Sequence, residues 1–180
     1  MKIPGIIATL VVALLLNACA ESSNRIIEYL QGFPPQTEKP PQAALPLAAG
    51  LVMALPEDEL SKPTTPSKDV VEGVARRIQT ELQASSQITI QRIFPGLTIP
   101  AGGLHGLALE RVQALAKEGN LTKMIVVVAT SRSAQKLRFW PVQENQLYVR
   151  MDAALVDMPA GLVLLTESGQ DDYVMAETLD

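Results

Sequence analysis

Met124-Ile125-Val126-Val127-Val128-Ala129 is an unbroken apolar run rich in β-branched residues, and its reading decides the fold. A short run of this kind suits a strand covered on both faces near the centre of a sheet. Upstream, Leu47 to Leu55 is a second such run, closed by Pro56 and an acidic loop that holds three prolines and three acids between residues 56 and 66. Between the two runs the period changes. Thr65 can cap a helix with Pro66 at its first position and Asp69 near the positive end of the dipole. Val70, Val71, Val74, Ala75, Ile78 and Leu82 then recur at three and four, against Arg76, Arg77 and Glu81. That is one apolar stripe on a helix. Ile88 and Ile90 alternate with polar neighbours before Ile93-Phe94-Pro95, as in a half-buried strand. Gly96 to Gly106 holds four glycines and reads as a loop. A second helix from about Leu107 to Glu118 presents Ala108, Val112, Leu115 and Ala116 on one side, and Gly119-Asn120 ends it.

Downstream of the central run the helical period is absent. Leu137 to Val142 reads as a strand broken at Pro141, Leu147 to Asp157 alternates, Asp157-Met158-Pro159-Ala160-Gly161 is a turn, and Leu162 to Glu167 returns. The order β-α-β-α-β-β-β predicts an α/β (α+β) domain over residues 47–180. Its mixed sheet has about five strands, with two main helices packed mainly on one face.

The chain starts with Lys2, an apolar run from Ile6 to Leu16, and Leu16-Asn17-Ala18-Cys19. A run of 11 residues is too short to span a bilayer, which needs about 20. Residues 1–18 therefore read as a signal peptide. An ordinary signal peptide and an uncleaved interfacial anchor are the alternatives; the single cysteine after Leu-x-Ala favours a lipoprotein signal. The resemblance to lipobox-type signals implies cleavage after Ala18 and lipid attachment at Cys19. In such signals Ala20, rather than aspartate, after the cysteine implies sorting to the outer membrane. With no second cysteine there is no intramolecular disulfide. Loss of Lys2 with the signal moves the formal charge from -4 to -5, which gives no support for nucleic-acid binding.

Residues 19–46 read as a lipidated N-terminus and tether. Five prolines stand between Gln31 and Pro46, and at about 3.1 Å per residue this stretch could reach roughly 50 Å. Ile26, Ile27, Tyr29 and Leu30 leave a second reading open, in which the segment docks in a groove of the domain.

Chemistry is sparsely encoded. A Ser-His-Asp group would need His105, the only histidine, which sits between glycines with no nucleophile-elbow sequence around any serine. One histidine and one acylated cysteine do not make a zinc site. Glu57, Asp58 and Glu59 lack EF-hand spacing and read as a solvated loop. Ala101-Gly102-Gly103-Leu104-His105-Gly106 lacks both the P-loop ending and the dinucleotide glycine order. The expectation is no enzyme, no catalytic or metal residues, and no cofactor beyond the covalent lipid. Trp140 beside Phe139 is a candidate interaction site, since tryptophan is enriched at interface hot spots, or equally a core residue.

The hairpin Val149-Arg150-Met151-Asp152-Ala153-Ala154-Leu155-Val156-Asp157-Met158-Pro159-Ala160-Gly161-Leu162-Val163-Leu164 resembles a "strand, Asp, turn Gly, strand" signature. That signature is shared by the periplasmic α/β domains of the curli secretion lipoprotein, the Tol propeller protein and lipoprotein activators of peptidoglycan synthases. Ser22-Ser23 with Tyr29-Leu30, Ile99-Pro100-Ala101-Gly102-Gly103-Leu104, Trp140, and Met151 to Asp157 also resemble rhombotarget lipoproteins. The chain ends at Asp180 without the apolar tail of a rhombosortase substrate, and it has no long amphipathic segment like that of a curli-type pore. These resemblances imply no active site. They imply a lipid-anchored outer-membrane protein on the periplasmic side, acting on an envelope protein partner as a tethered accessory module, or as a self-assembling subunit of an envelope complex.

Overall fold

The two apolar runs lie side by side in the sheet. The computed structural model describes residues 26–33, 45–57, 68–100, 107–139 and 142–178. In chain order these form α1 (Ile26–Tyr29), β1 (Leu30–Gln31), β2 (Leu47–Pro56), α2 (Lys68–Ala84), β3 (Ile88–Ile93), β4 (Leu97–Ile99), β5 (Leu107–Ala108), α3 (Leu109–Glu118), β6 (Lys123–Phe139), β7 (Val142–Asp157) and β8 (Leu162–Thr178). The fold is α+β with a mixed sheet of six strands in the order β3-β2-β6-β7-β8, and β4 also pairs with β2. β2 runs parallel to β3, β4 and β6, with Gly50 opposite Met124 and Ala54 opposite Val128. β6, β7 and β8 are successively antiparallel.

Both apolar runs are buried from two sides. On one face Leu51, Met53, Ile125 and Val127 pack with Ala75, Ile78 and Leu82 of α2. On the other, Val52, Ala54, Met124, Val126 and Val128 pack with Val112 and Ala116 of α3. Complete burial of a side chain such as Ile78 or Leu82 contributes about 1.5–3 kcal/mol. The α2 stripe is as the spacing predicts, with Arg76 and Arg77 exposed on its far side.

The helices correct the sequence reading, because they lie on opposite faces rather than mainly on one. The handedness of the crossovers explains it. The β2-α2-β3 crossover steps to one side of β2, and the next, through α3 to β6, steps to the other. Both are held to the right-handed form, so reversing the direction of the step transfers the second helix to the other face.

Phe94 plugs the second core beneath two glycines. A Cβ at Gly50 would lie 2.8 Å from Phe94 Cε2 and 2.6 Å from Met124 Sδ, and one at Gly119 would lie 2.8 Å from Phe94 Cζ. Gly119 closes α3 in an ordinary right-handed conformation (φ -84), and it is Asn120 that takes the left-handed turn (φ 51). Gly119 is thus required by space, not by backbone conformation.

β6 also departs from expectation. The central run does not stop at Ala129; it continues to Phe139, and the segment read as a strand broken at Pro141 is divided between β6 and β7, which are paired down to Phe139 and Val142. Polar residues from Ser131 to Lys136 hide this from hydropathy, and the continuity of the strand is carried by its cross-strand pairing with β7. The turn at Met158 to Gly161 is as read, with Gly161 at φ 65.

At the N-terminus the docked alternative holds. Ile26 and Leu30 are buried in the second core, β1 pairs in parallel with β5, and α1 lies against β7. The proline-rich stretch therefore joins two parts of one folded unit, with half-buried Phe33 before it and β2 after it.

Candidate functional site

Two features stand apart from the doubly covered sheet, and both lie where β6, β7 and β8 leave it. Pairing between β2 and β6 ends at Ala54 and Val128, whereas β6, β7 and β8 stay mutually paired to Phe139, Val142 and Thr178. The eleven residues from 129 to 139 carry a three-stranded arm about 35 Å beyond the shared sheet, at about 3.4 Å per residue. Phe139, one of the two candidate interaction residues, ends β6 at the far end of this arm. Trp140 follows it in the chain and lies outside the described residues, as do Ala18, Cys19, Asp58, Glu59, His105 and the Thr65-Pro66 cap.

At the root of the arm is a buried charge. Asp152 faces the second core from β7, between Val128 and Ser168. Its side chain is 2% exposed, against 26% for Arg150. Arg150, two residues earlier and so on the same face of the strand, donates from Nε to Oδ2 at 2.9 Å and from Nη2 to Oδ1 at 3.0 Å. The fork geometry satisfies both carboxylate oxygens, which is what makes such burial tolerable. Nearer the start of the hairpin, Lys123 pairs with Asp157, and the two are opposite in register. The sequence reading attached no role to Asp152. The signal was present: one charge inside Met151 to Val156, with a guanidinium two positions away.

On the other face, Glu167 stands opposite Ala153, and burial raises its carboxyl above the usual 4.5. Between its unfolded and its raised folded pKa the folded protein holds more of that proton, so this carboxylate's contribution to stability is lost as pH rises through the window. Glu167→Gln removes that loss. Its melting temperature is expected to match the wild type near pH 4 and to exceed it at pH 7; equal melting at both values would show that Glu167 is fully hydrated.

Among the described residues no three or more His, Cys, Asp or Glu side chains stand together as a metal site, and no helix is long and apolar enough to cross a membrane. Among the described residues the arrangement offers an extended three-stranded ribbon with a buried ion pair at its root.

No family model and no curated protein matches the chain. Among solved structures it is similar to the PelC dodecamer from Paraburkholderia phytofirmans, with 13% identity, a TM-score of 0.43, and 75% of this chain and 78% of that chain covered. It is also similar to the lipoprotein GNA1162 from Neisseria meningitidis, with 14% identity, a TM-score of 0.39, and 70% of this chain and 83% of that chain covered.

Proposed function

We propose that this chain is a lipid-anchored envelope protein without enzymatic activity, whose α+β domain presents the β6-β7-β8 arm as its contact surface for an envelope partner. The arm carries the reading: three long strands leave the covered sheet and place Phe139 at their far end. The lipobox-type residues Leu16 to Cys19 support the anchor, Ala20 supports sorting to the outer membrane, and the resemblance of the late hairpin to periplasmic α/β domains supports the periplasmic side. Two or three acyl chains hold a protein stably where one alone binds only marginally.

Docking of α1 changes the geometry of tethering. Only residues 20–25 separate Cys19 from Ile26, and six extended residues reach about 20 Å. Such a domain sits close to its membrane, not the roughly 50 Å away that a free proline-rich spacer would allow. A second reading, a self-assembling envelope subunit, is favoured by the two strand edges that the arm leaves unpaired among the described residues.

In-cell crosslinking and pull-down of the acylated protein tests the first reading, with Cys19→Ser as comparison. Capture of a peptidoglycan synthase or another envelope machine, lost when Cys19→Ser abolishes acyl labelling and membrane retention, is the expected result. Unchanged acylation of Cys19→Ser overturns the anchor, and recovery of this chain alone transfers the weight to self-assembly.

A further inference from the structure

The docked N-terminal segment fixes where a lipid anchor meets the domain. β1 pairs with β5, which runs directly into α3. Arg111, in the first turn of α3, donates from Nη1 to the Thr98 carbonyl at 3.4 Å, and β4 sets Thr98 beside Leu55 near the end of β2. The other end of α3 lies by Gly50, because a Cβ at Gly50 or at Gly119 would strike both Phe94 and Leu121. α1 therefore docks at the level where β2 ends and the arm begins, on the face of the sheet that carries α3 and opposite the face that carries α2.

That level is near the middle of a long body. β2 runs about 23 Å from Leu47 to Ala54 on one side, and the arm runs about 35 Å on the other. Residues 20–25 let Ile26 stand no more than about 20 Å from a lipid on Cys19, which is shorter than either. Stood upright, the body would drive one end through the lipid surface, and Ser131 to Lys136 lack the apolar alternation that hydrocarbon would hold. A body tied so closely near its middle lies along the surface instead. Ile27, on the same single turn of helix as the buried Ile26, is 45% exposed, and in the chain it is the described exposed apolar residue nearest to Cys19.

We propose that the domain lies flat on the lipid surface, with α1 and α3 toward the lipid, Ile27 in the interface, the arm along the surface and α2 facing away. This deepens the tethered reading and rests on its anchor at Cys19. The acyl chains supply retention, while Ile27 and the short tether set the orientation, since one exposed side chain adds little to the binding of two or three acyl chains. A protein partner then reaches the arm from the side of the sheet that carries α2.

The test uses the acylated protein, in which acylation blocks the Cys19 thiol and an introduced cysteine alone takes a fluorescent label. Ile27→Cys, Glu110→Cys, Leu45→Cys and Arg77→Cys, all at exposed positions, are labelled and placed in vesicles of phosphatidylethanolamine and phosphatidylglycerol that carry nitroxides on their acyl chains. Circular dichroism confirms that each variant is folded. Quenching is expected to be severalfold stronger at 27 and 110 than at 77 on α2, and weaker at 45, by the start of β2, than at 27. Position 110 reports the contact where no apolar side chain has been replaced. Vesicle-bound protein quenched at 27 and 110 no more than at 77, or quenched most at 45, overturns the orientation and leaves the anchor standing. Unsubstituted protein that takes up the thiol label, or that the vesicles do not retain, overturns the anchor and this orientation with it.

Discussion

Arg150→Met is expected to lower the unfolding free energy by about 3–5 kcal/mol, because it removes the guanidinium from a carboxylate whose side chain is 2% exposed. Asp152 would then keep its charge in a nearly water-free place, or take up a proton to lose it, and both cost stability. Removing Asp152 alone should cost less. Arg150 is 26% exposed and its long side chain can carry the charge toward water. The double variant Arg150→Met/Asp152→Leu should recover much of the loss, since well-packed apolar residues often replace a buried pair with little penalty. Urea unfolding of the four proteins completes the cycle. A loss of under about 1 kcal/mol for Arg150→Met would mean that water reaches Asp152 and that the root of the arm is not dry.

Ile26→Ala is expected to cost about 2–5 kcal/mol, the range for a buried aliphatic side chain truncated to alanine. Ile26 is fully buried, yet it sits on a single turn of helix whose ties include the two-residue pairing of β1 with β5 and the burial of Leu30. The helix is too short to hold itself together without packing. The truncated segment is therefore expected to undock rather than leave a cavity in place. Hydrogen exchange distinguishes the two: undocking exposes the amides of 26–31 together with β5, while α2 and the β2-β6 pairing stay protected. In the anchored protein the same variant would lengthen the free tether from residues 20–25 to residues 20–46, or about 85 Å at about 3.1 Å per residue. Unchanged stability and unchanged exchange would show that the docked segment adds nothing to the fold.

Much of the architecture was legible because burial leaves a pattern. Leu47 to Leu55 and Met124 to Ala129 are apolar at every position, and both are covered on two faces. The α2 stripe from Val71 to Leu82 repeats at helical spacing, and Ile78 and Leu82 are fully buried. What could not be read was the rest of β6. Ser131 to Lys136 carry no apolar alternation, and their strand conformation comes from cross-strand backbone pairing with β7, whose partner residues are eight or more positions away in the chain.

Of the candidate site, the sequence pointed to Phe139 and the neighbouring Trp140 through their chemistry, and the structure added the place, since β6 carries Phe139 to the far end of the arm. Asp152 was missed because hydropathy counts one charge in an apolar run as an interruption. Its tolerance depends on Arg150 lying on the same face of the strand, which is a matter of pleat and side-chain reach.

The sequence by itself determined the strands and helices whose stability comes from burying apolar surface: their order, their spacing, the turn at Gly161, and the two runs at the middle of the sheet. Only the tertiary structure decided that α2 and α3 take opposite faces, that Ile26 and Leu30 close the second core, and that three strands run on past the sheet. Local hydrophobic periodicity records whether a residue is buried but not against what. The hand of a crossover, the docking of a short segment and the register of a long hairpin are set by partners far apart in the chain.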